Sequence, residues 1–318
     1  MIPGDAAPAW PSDAAFERAW RVVSAQLAAT PLVASPLLRD GVFLKLETWQ
    51  PTGSFKVRGA LAALSQAGAS RGIVTASTGN HALGTAFAAD RLGVRATVVV
   101  PASASPAKLE ALRRFPASVI VHGDSYETAE QHARALAETG PRYLSAYNDP
   151  DVIAGQATLG IELLSQLRGS VTVVCSVGAG GLAAGLGLAA SRTGRMTVIG
   201  VEAAASPAVS TAIRAGHVVE IEVGHTLADG LAGNLQPGSI TVDLIREHVH
   251  SLISVTDKQI AAAMRYLARE HGLITEGAGA APVAAILAGK LPLSGQTVAV
   301  ISGRNIAPQT LAQVLLGG

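Results

Sequence analysis

A lysine sits one residue past Ser54-Phe55 in PTGSFKVRGALAAL, Pro51 to Leu64. It is the side chain here best suited to covalent chemistry. Ser54 is placed to cap a helix whose apolar stripe includes Val57, Leu61 and Leu64. Lys56 then falls in the first helical turn, where unpaired N–H groups create positive potential and disfavour a cation. A lysine held neutral in this way can attack a carbonyl and form a Schiff base. Taken alone, the motif fits an ordinary exposed lysine equally well.

Three further segments place polar or glycine-rich turns at the ends of β-branched runs. In TASTGNHALG, Thr75 to Gly84, the backbone N–H groups of Ser77, Thr78 and Gly79 would open a helix and face a carboxylate or phosphate. Asn80 can offer an amide to a phenolic oxygen, and His81 reads more simply as a polar helix-opening residue. In SVGAGGLAAG, Ser176 to Gly185, Gly178, Gly180 and Gly181 let backbone amides close around a phosphate. The same turn also fits a dinucleotide fingerprint through Gly178, Gly180 and Ala183, with Glu202 ending the next strand as a ribose-binding acid. In VISGRN, Val300 to Asn305, a strand ends in Ser302, whose hydroxyl can hydrogen-bond a neutral pyridine nitrogen. A neutral ring is a weak electron sink and favours prompt loss of a β leaving group.

The elements that must position these residues alternate between strand and helix. Apolar runs at Gly72–Ala76, Ala96–Val100, Ser118–His122 and Arg142–Tyr147 are separated by helical patterns at His81–Leu92, Pro106–Phe115 and Tyr126–Glu138. This alternation predicts a small parallel α/β unit. A second α/β pattern comprises helix Val152–Leu167, strand Val171–Ser176, helix Leu182–Ser191 and strand Thr197–Glu202. It continues through helices Asp257–His271 and Ala280–Ala288, strand Thr297–Ile301 and a last helix near Pro308–Leu315. Helix Ala14–Ala28 and strand Phe43–Glu47 precede both. The expected fold class is α/β with two lobes, residues 72–148 inserted between 1–71 and 149–318.

Composition bounds the partners. Apolar residues make up 49% of the 318 and charged residues 15%, as in a chain with a large buried core. The net charge of +1 gives no basic field for nucleic acid. The single cysteine, Cys175, excludes an intrachain disulfide and suits a reducing cytoplasm. Ser170 to Ser191 carries no charge, but β-branched residues followed by glycines read as strand, turn and helix, so no membrane span is expected. The N-terminus has neither the basic start nor the apolar core of a signal peptide.

Together the motifs resemble the fold-type II pyridoxal-phosphate (PLP) enzymes, and most closely the serine/threonine dehydratase and serine racemase branch. The resemblance is carried by LKLETWQPTGSFKVRGA, TASTGNHA, YNDPDVIAGQATLGIELL, SVGAGGLAAG, VIGVE, LADGLA, TEGAGAAPVAAIL and ISGRN, in the family's order. It implies a tryptophan synthase β-subunit-like fold with parallel sheets covered by helices on both faces, and a homodimer. It implies that Lys56 carries PLP, that Asn80 binds the ring oxygen and that Ser302 meets the ring nitrogen. The phosphate falls to Gly178, Ala179, Gly180, Gly181 and Leu182, the ring faces to Phe55 and Gly230, and the substrate carboxylate to Ser77 through His81. Asn148 approaches the cofactor in the same alignment.

The implied reaction is β-elimination of a small β-hydroxy amino acid such as serine, threonine or 3-hydroxyaspartate, giving a 2-oxo acid and ammonia. An amino-acid racemase is the alternative within PLP chemistry, and an NAD(P)-dependent oxidoreductase the alternative outside it. Three positions depart from the pattern. Ala179 replaces a glycine of the phosphate loop, and Thr78 stands where racemases place an acid/base serine. Arg304 replaces a glycine, which would bring a guanidinium toward the pocket unless it points to solvent or pairs with a structural acid. The related metal site is expected to be missing, because Glu202 and Ser206 keep two ligand positions while Ala208 replaces the second acid.

Overall fold

The computed structural model describes residues 9–66, 71–104, 106–293 and 295–317. In chain order its strands are β1 (Leu32–Ala34), β2 (Val42–Leu46), β3 (Ile73–Ala76), β4 (Ala96–Val100), β5 (Ser118–Val121), β6 (Arg142–Tyr143), β7 (Val171–Ser176), β8 (Met196–Ala203), β9 (Ser251–Val255) and β10 (Gln296–Ile301). They form a six-stranded sheet, β1-β2-β10-β7-β8-β9, and a four-stranded sheet, β5-β4-β3-β6. Every pairing is parallel except that of edge strand β1 with β2.

The near-continuous apolar runs of β7 and β10 follow from burial on both faces of the larger sheet. Side chains alternate across a strand, so each run serves two cores. Val174, Ala299 and Ile301 pack with helices Asp257–His271 and Gly277–Leu287. Val173, Cys175, Val298 and Val300 pack on the opposite face with helices Pro150–Gln166 and Gly181–Thr193. Burial pushes the Cys175 thiol up to about 12, which leaves it an inert core residue. Among the described residues no helix is long and apolar enough to cross a membrane, and Ser170 to Ser191 divides into β7, a turn and a helix.

Several expected elements shift. The strand expected at Arg142–Tyr147 is only two residues long, because the chain leaves the sheet after the Leu144 N–H donates to the Val74 carbonyl. The Ser145 hydroxyl then accepts the Asn148 N–H and turns the backbone. β9 and helices Ala208–Ala215 and Ile240–His248 had no counterpart in the sequence pattern. The last opens with Ile, Thr and Val, β-branched residues that read as strand and hide its helical period.

Beneath the helix Lys56–Leu64 lies a buried charge cluster. The Arg58 guanidinium donates to both oxygens of Glu47 at 2.8 Å and to Glu162 at 2.8 Å. Lys45 donates to Glu162 and to the Thr30 carbonyl. Burial opposes the charges of Lys45, Glu47 and Arg58, but the paired acids outweigh it at Arg58, which stays firmly protonated. The cluster ties β2, the Lys56 helix and helix Pro150–Gln166 into one unit.

Candidate active site

The carboxyl ends of the parallel strands converge on a cavity of about 1580 Å³ between the two sheets. This is the usual place for a ligand in an open α/β sheet. Phe55, Lys56, Ser77, Thr78, Gly79, Asn80, His81, Gly178, Ala179, Gly180, Gly181, Leu182, Gly230 and Ser302 all line it, as does Asn148. The four segments, distant in sequence, therefore meet in one place.

Lys56 begins its helix, but the cap differs from the expected one. Phe55 is the N-cap and makes no side-chain cap bond, while the Ser54 hydroxyl is buried without a partner. Ser54 instead pairs with Gly303 as an antiparallel bridge, and the Phe55 N–H donates to the Ser302 carbonyl at 3.0 Å. The backbone beside β10 sets where the helix starts, so Lys56 and Ser302 are tied through main-chain bonds. The Lys56 ammonium donates to the Ala146 carbonyl at 3.0 Å and lies 5.4 Å from the Phe55 ring centroid. Burial lowers the lysine to about 8, against the opposing pull of Glu276. Desolvation is thus the main cause of this lowering.

The Thr75–Gly84 segment turns from β3 into helix Asn80–Leu92. Thr78 faces the cavity, while the Gly79 N–H folds back onto the Ser77 hydroxyl at 3.2 Å. The His81 ring turns into the protein, 3.1 Å from the Thr75 hydroxyl, and is 4% exposed. Burial, with the nearby Lys56 charge, lowers it to about 3, so it is neutral. What His81 offers the cavity is its first-turn backbone N–H.

The glycine turn after β7 opens helix Gly181–Thr193 with no side-chain cap bond, and Gly180, Gly181 and Leu182 line the cavity at this helix start. Gly180 has φ +90°, and a Cβ there would come 2.6 Å from Ile245. A Cβ at Gly178 would come 2.9 Å from the Gly230 carbonyl oxygen, which shows how closely that loop covers the turn. Asn148 acts as a bridge: its carbonyl oxygen accepts the Ile240 N–H, and its amide donates to Gln236.

Two residues that sequence reasoning left without a role stand at the centre of the site. Glu276, the N-cap of helix Gly277–Leu287, accepts the Asn80 side-chain N–H at 2.7 Å. Asn305 donates to the Asn80 carbonyl oxygen at 2.6 Å. Burial and the Asp229 charge raise Glu276 to about 7, opposed by the Asn80 hydrogen bond. The only signal in the sequence was an acid before a glycine-rich helix, which reads as a cap. Across the cavity, Glu130 accepts from Arg134, Tyr143 and Gln236, joining helix Tyr126–Ala137 to the loop before helix Ile240–His248.

Arg304 and Glu202 both stand outside the cavity. Arg304 is exposed and is not part of the cavity wall; its N–H donates to the Gly53 carbonyl, and the bend there carries the side chain outward. Glu202 does not reach the cavity either. Its carboxylate accepts the N–H groups of Val209 at 2.9 Å and Ser210 at 3.2 Å, capping the helix that Ala208 begins. This leaves the dinucleotide reading without its ribose-binding acid. It also gives Glu202 a structural function, so EDTA is expected to leave turnover and Tm unchanged. A loss of activity that Mg²⁺ restores would instead make Glu202 a ligand.

Residues 23–303 match the family described as pyridoxal-phosphate dependent enzyme. The chain is 40% identical over 283 residues to L-threonine ammonia-lyase of Geobacter sulfurreducens, covering 87% of this chain and 70% of that one. It is 36% identical over 281 residues to L-threonine dehydratase catabolic TdcB of Escherichia coli K12, covering 86% and 85%. Among solved structures, the processed form of threonine deaminase isoform 2 from Solanum lycopersicum superposes with TM-score 0.89 at 30% identity, covering 100% and 93%. Maize serine racemase superposes with TM-score 0.88 at 26% identity, covering 96% and 97%. The chain belongs to the pyridoxal-phosphate dependent enzymes.

Proposed function

We propose that this enzyme removes water from a small β-hydroxy amino acid, L-threonine or L-serine, and that Lys56 is both cofactor anchor and base. The observation that carries the reading is the meeting of Lys56, Asn80, the Gly178–Leu182 turn and Ser302 in one cavity. The cofactor fits these residues. The uncapped helix start and the two glycines that admit no Cβ form a cradle for a phosphate, and the lowered lysine suits Schiff-base chemistry. PLP, when bound, withdraws electrons from the substrate Cα and so acidifies its hydrogen.

The protein's part is to orient and to move protons. First-turn N–H groups of helix Asn80–Leu92, with Ser77 and Thr78, hold the substrate carboxylate. The Lys56 amine, once displaced by the substrate amine, takes the α-proton at Nζ. The proton and the β-hydroxyl leave as water. The released enamine takes up water and gives a 2-oxo acid and ammonia. Ser302, a neutral hydroxyl, would hold the ring nitrogen without supplying a charge, which would favour early departure of the β-hydroxyl.

In this proposal residues 1–71 and 149–318 form the cofactor-holding lobe, and 72–148 the inserted lobe that covers the substrate. A homodimer in the cytoplasm belongs to the same reading. Incubation with L-threonine and L-serine should yield 2-oxo acid and ammonia in equal amounts, faster than any D-isomer. Thr78 adds a methyl where a second acid/base hydroxyl would have to move. Faster D-isomer formation would make the enzyme a racemase.

The phosphate cradle has its own test. Gly180→Ala places a Cβ on a backbone with φ +90° and against Ile245 and Thr241. Such strain costs on the order of 1–3 kcal/mol, so cofactor Kd should rise about tenfold or more in a fluorescence titration. An unchanged Kd would remove this turn from the cofactor site.

A further inference from the structure

We infer that Glu276 is a positioning residue that locks the Asn80 amide in one orientation, leaving a single Asn80 N–H free for the cofactor. This rests on the proposed role of Asn80 as donor to the ring oxygen. An amide side chain can flip, exchanging its donor and acceptor ends, and a flipped Asn80 would present a carbonyl to an oxygen of the cofactor. Two contacts forbid the flip. The Glu276 carboxylate takes one Asn80 N–H at 2.7 Å, and the Asn305 amide donates to the Asn80 carbonyl oxygen at 2.6 Å. Reversal would set carbonyl against carboxylate and NH₂ against NH₂.

Both partners are themselves held. Asn305 donates from the same nitrogen to the Thr52 carbonyl at 2.8 Å, which fixes its own amide. Glu276 is 6% exposed, and its N–H donates to the Gly303 carbonyl at 3.1 Å. Gly303 leaves the room that the carboxylate occupies, since a Cβ there would lie 2.3 Å from Glu276 Oε1. With one N–H engaged by Glu276, the second Asn80 N–H is the donor of that side chain left for a ligand. The lock joins helices Asn80–Leu92 and Gly277–Leu287, so it also holds the two sheets in register at the site.

A double-mutant cycle on the holoenzyme tests this, with cofactor Kd and the resting absorption spectrum as readouts. Asn80→Ala should raise Kd about tenfold, the scale of one hydrogen bond to a charged group, and shift the visible band. Glu276→Ala should do the same in the parent and nothing further in the Asn80→Ala background. Glu276→Gln keeps an acceptor for the Asn80 N–H and should restore Kd to within about threefold and recover the parental spectrum. Glu276→Asp, one methylene shorter, should behave as alanine does; it also serves if the alanine variant does not fold. Additive effects of Asn80→Ala and Glu276→Ala, or a glutamine variant as impaired as alanine, would overturn the lock. If Asn80→Ala changes neither Kd nor spectrum, the role of Asn80 itself is wrong, a distinguishable failure.

Discussion

Lys56→Ala should lower 2-oxo acid formation from L-threonine by about 10⁴-fold, near the upper end for loss of a general base, because the anchor and the base are lost together. Borohydride should fix a phosphopyridoxyl group on Lys56 in the parent and label no other peptide; a label elsewhere would overturn the assignment. The pH dependence of cofactor loading follows from the lysine's environment. Burial lowers Lys56 from 10.5 to about 8, so the reactive neutral amine increases as pH rises toward that value. Apoenzyme should therefore load PLP faster with rising pH and level off above about 8. A rate that keeps climbing to pH 10 would mark an ordinary exposed lysine.

Arg58→Met should cause the largest loss of stability. It leaves Glu47 and Glu162 buried with one cation, Lys45, in place of two. Removing one partner of a buried network costs about 3–5 kcal/mol, or a Tm lower by roughly 10 °C for a chain this size. The sign of the pH effect follows from Glu47, whose carboxyl Arg58 holds below its usual 4.5 against the cost of burial. That contribution is present above the unfolded value and is lost as pH falls through the folded one. The deficit of the variant should thus be present in full at pH 7 and shrink only as pH falls below about 4.5. Urea midpoints at pH 7 and at a pH below that value would measure it. Equal midpoints for variant and parent at pH 7 would mean that the cluster adds no stability.

The sequence by itself determined the alternation of strands and helices and the chemistry of the residues at the strand ends. A short β-branched run such as VTVVCS bounded by glycines favours a strand, and glycines at 178 and 180 permit the close turn that follows it. These are local constraints, which marked Lys56, Asn80, the Gly178–Leu182 turn and Ser302 as candidates, while their roles came from the resemblance to the fold-type II enzymes. Glu276, Asn305 and the cause of the Lys56 shift were decided by tertiary structure. Glu276 meets Asn80 across 196 positions, and Asn305 meets it across 225. No pattern of propensity records such pairs. Ser54 shows the converse: its type suited an N-cap, but pairing with Gly303 across the sheet end prevailed. For Arg304 the sequence left pocket and solvent both open, and the fold leaves it exposed and outside the cavity wall. Side-chain direction and desolvation depend on what the rest of the chain brings to each residue, and only the folded structure supplies that.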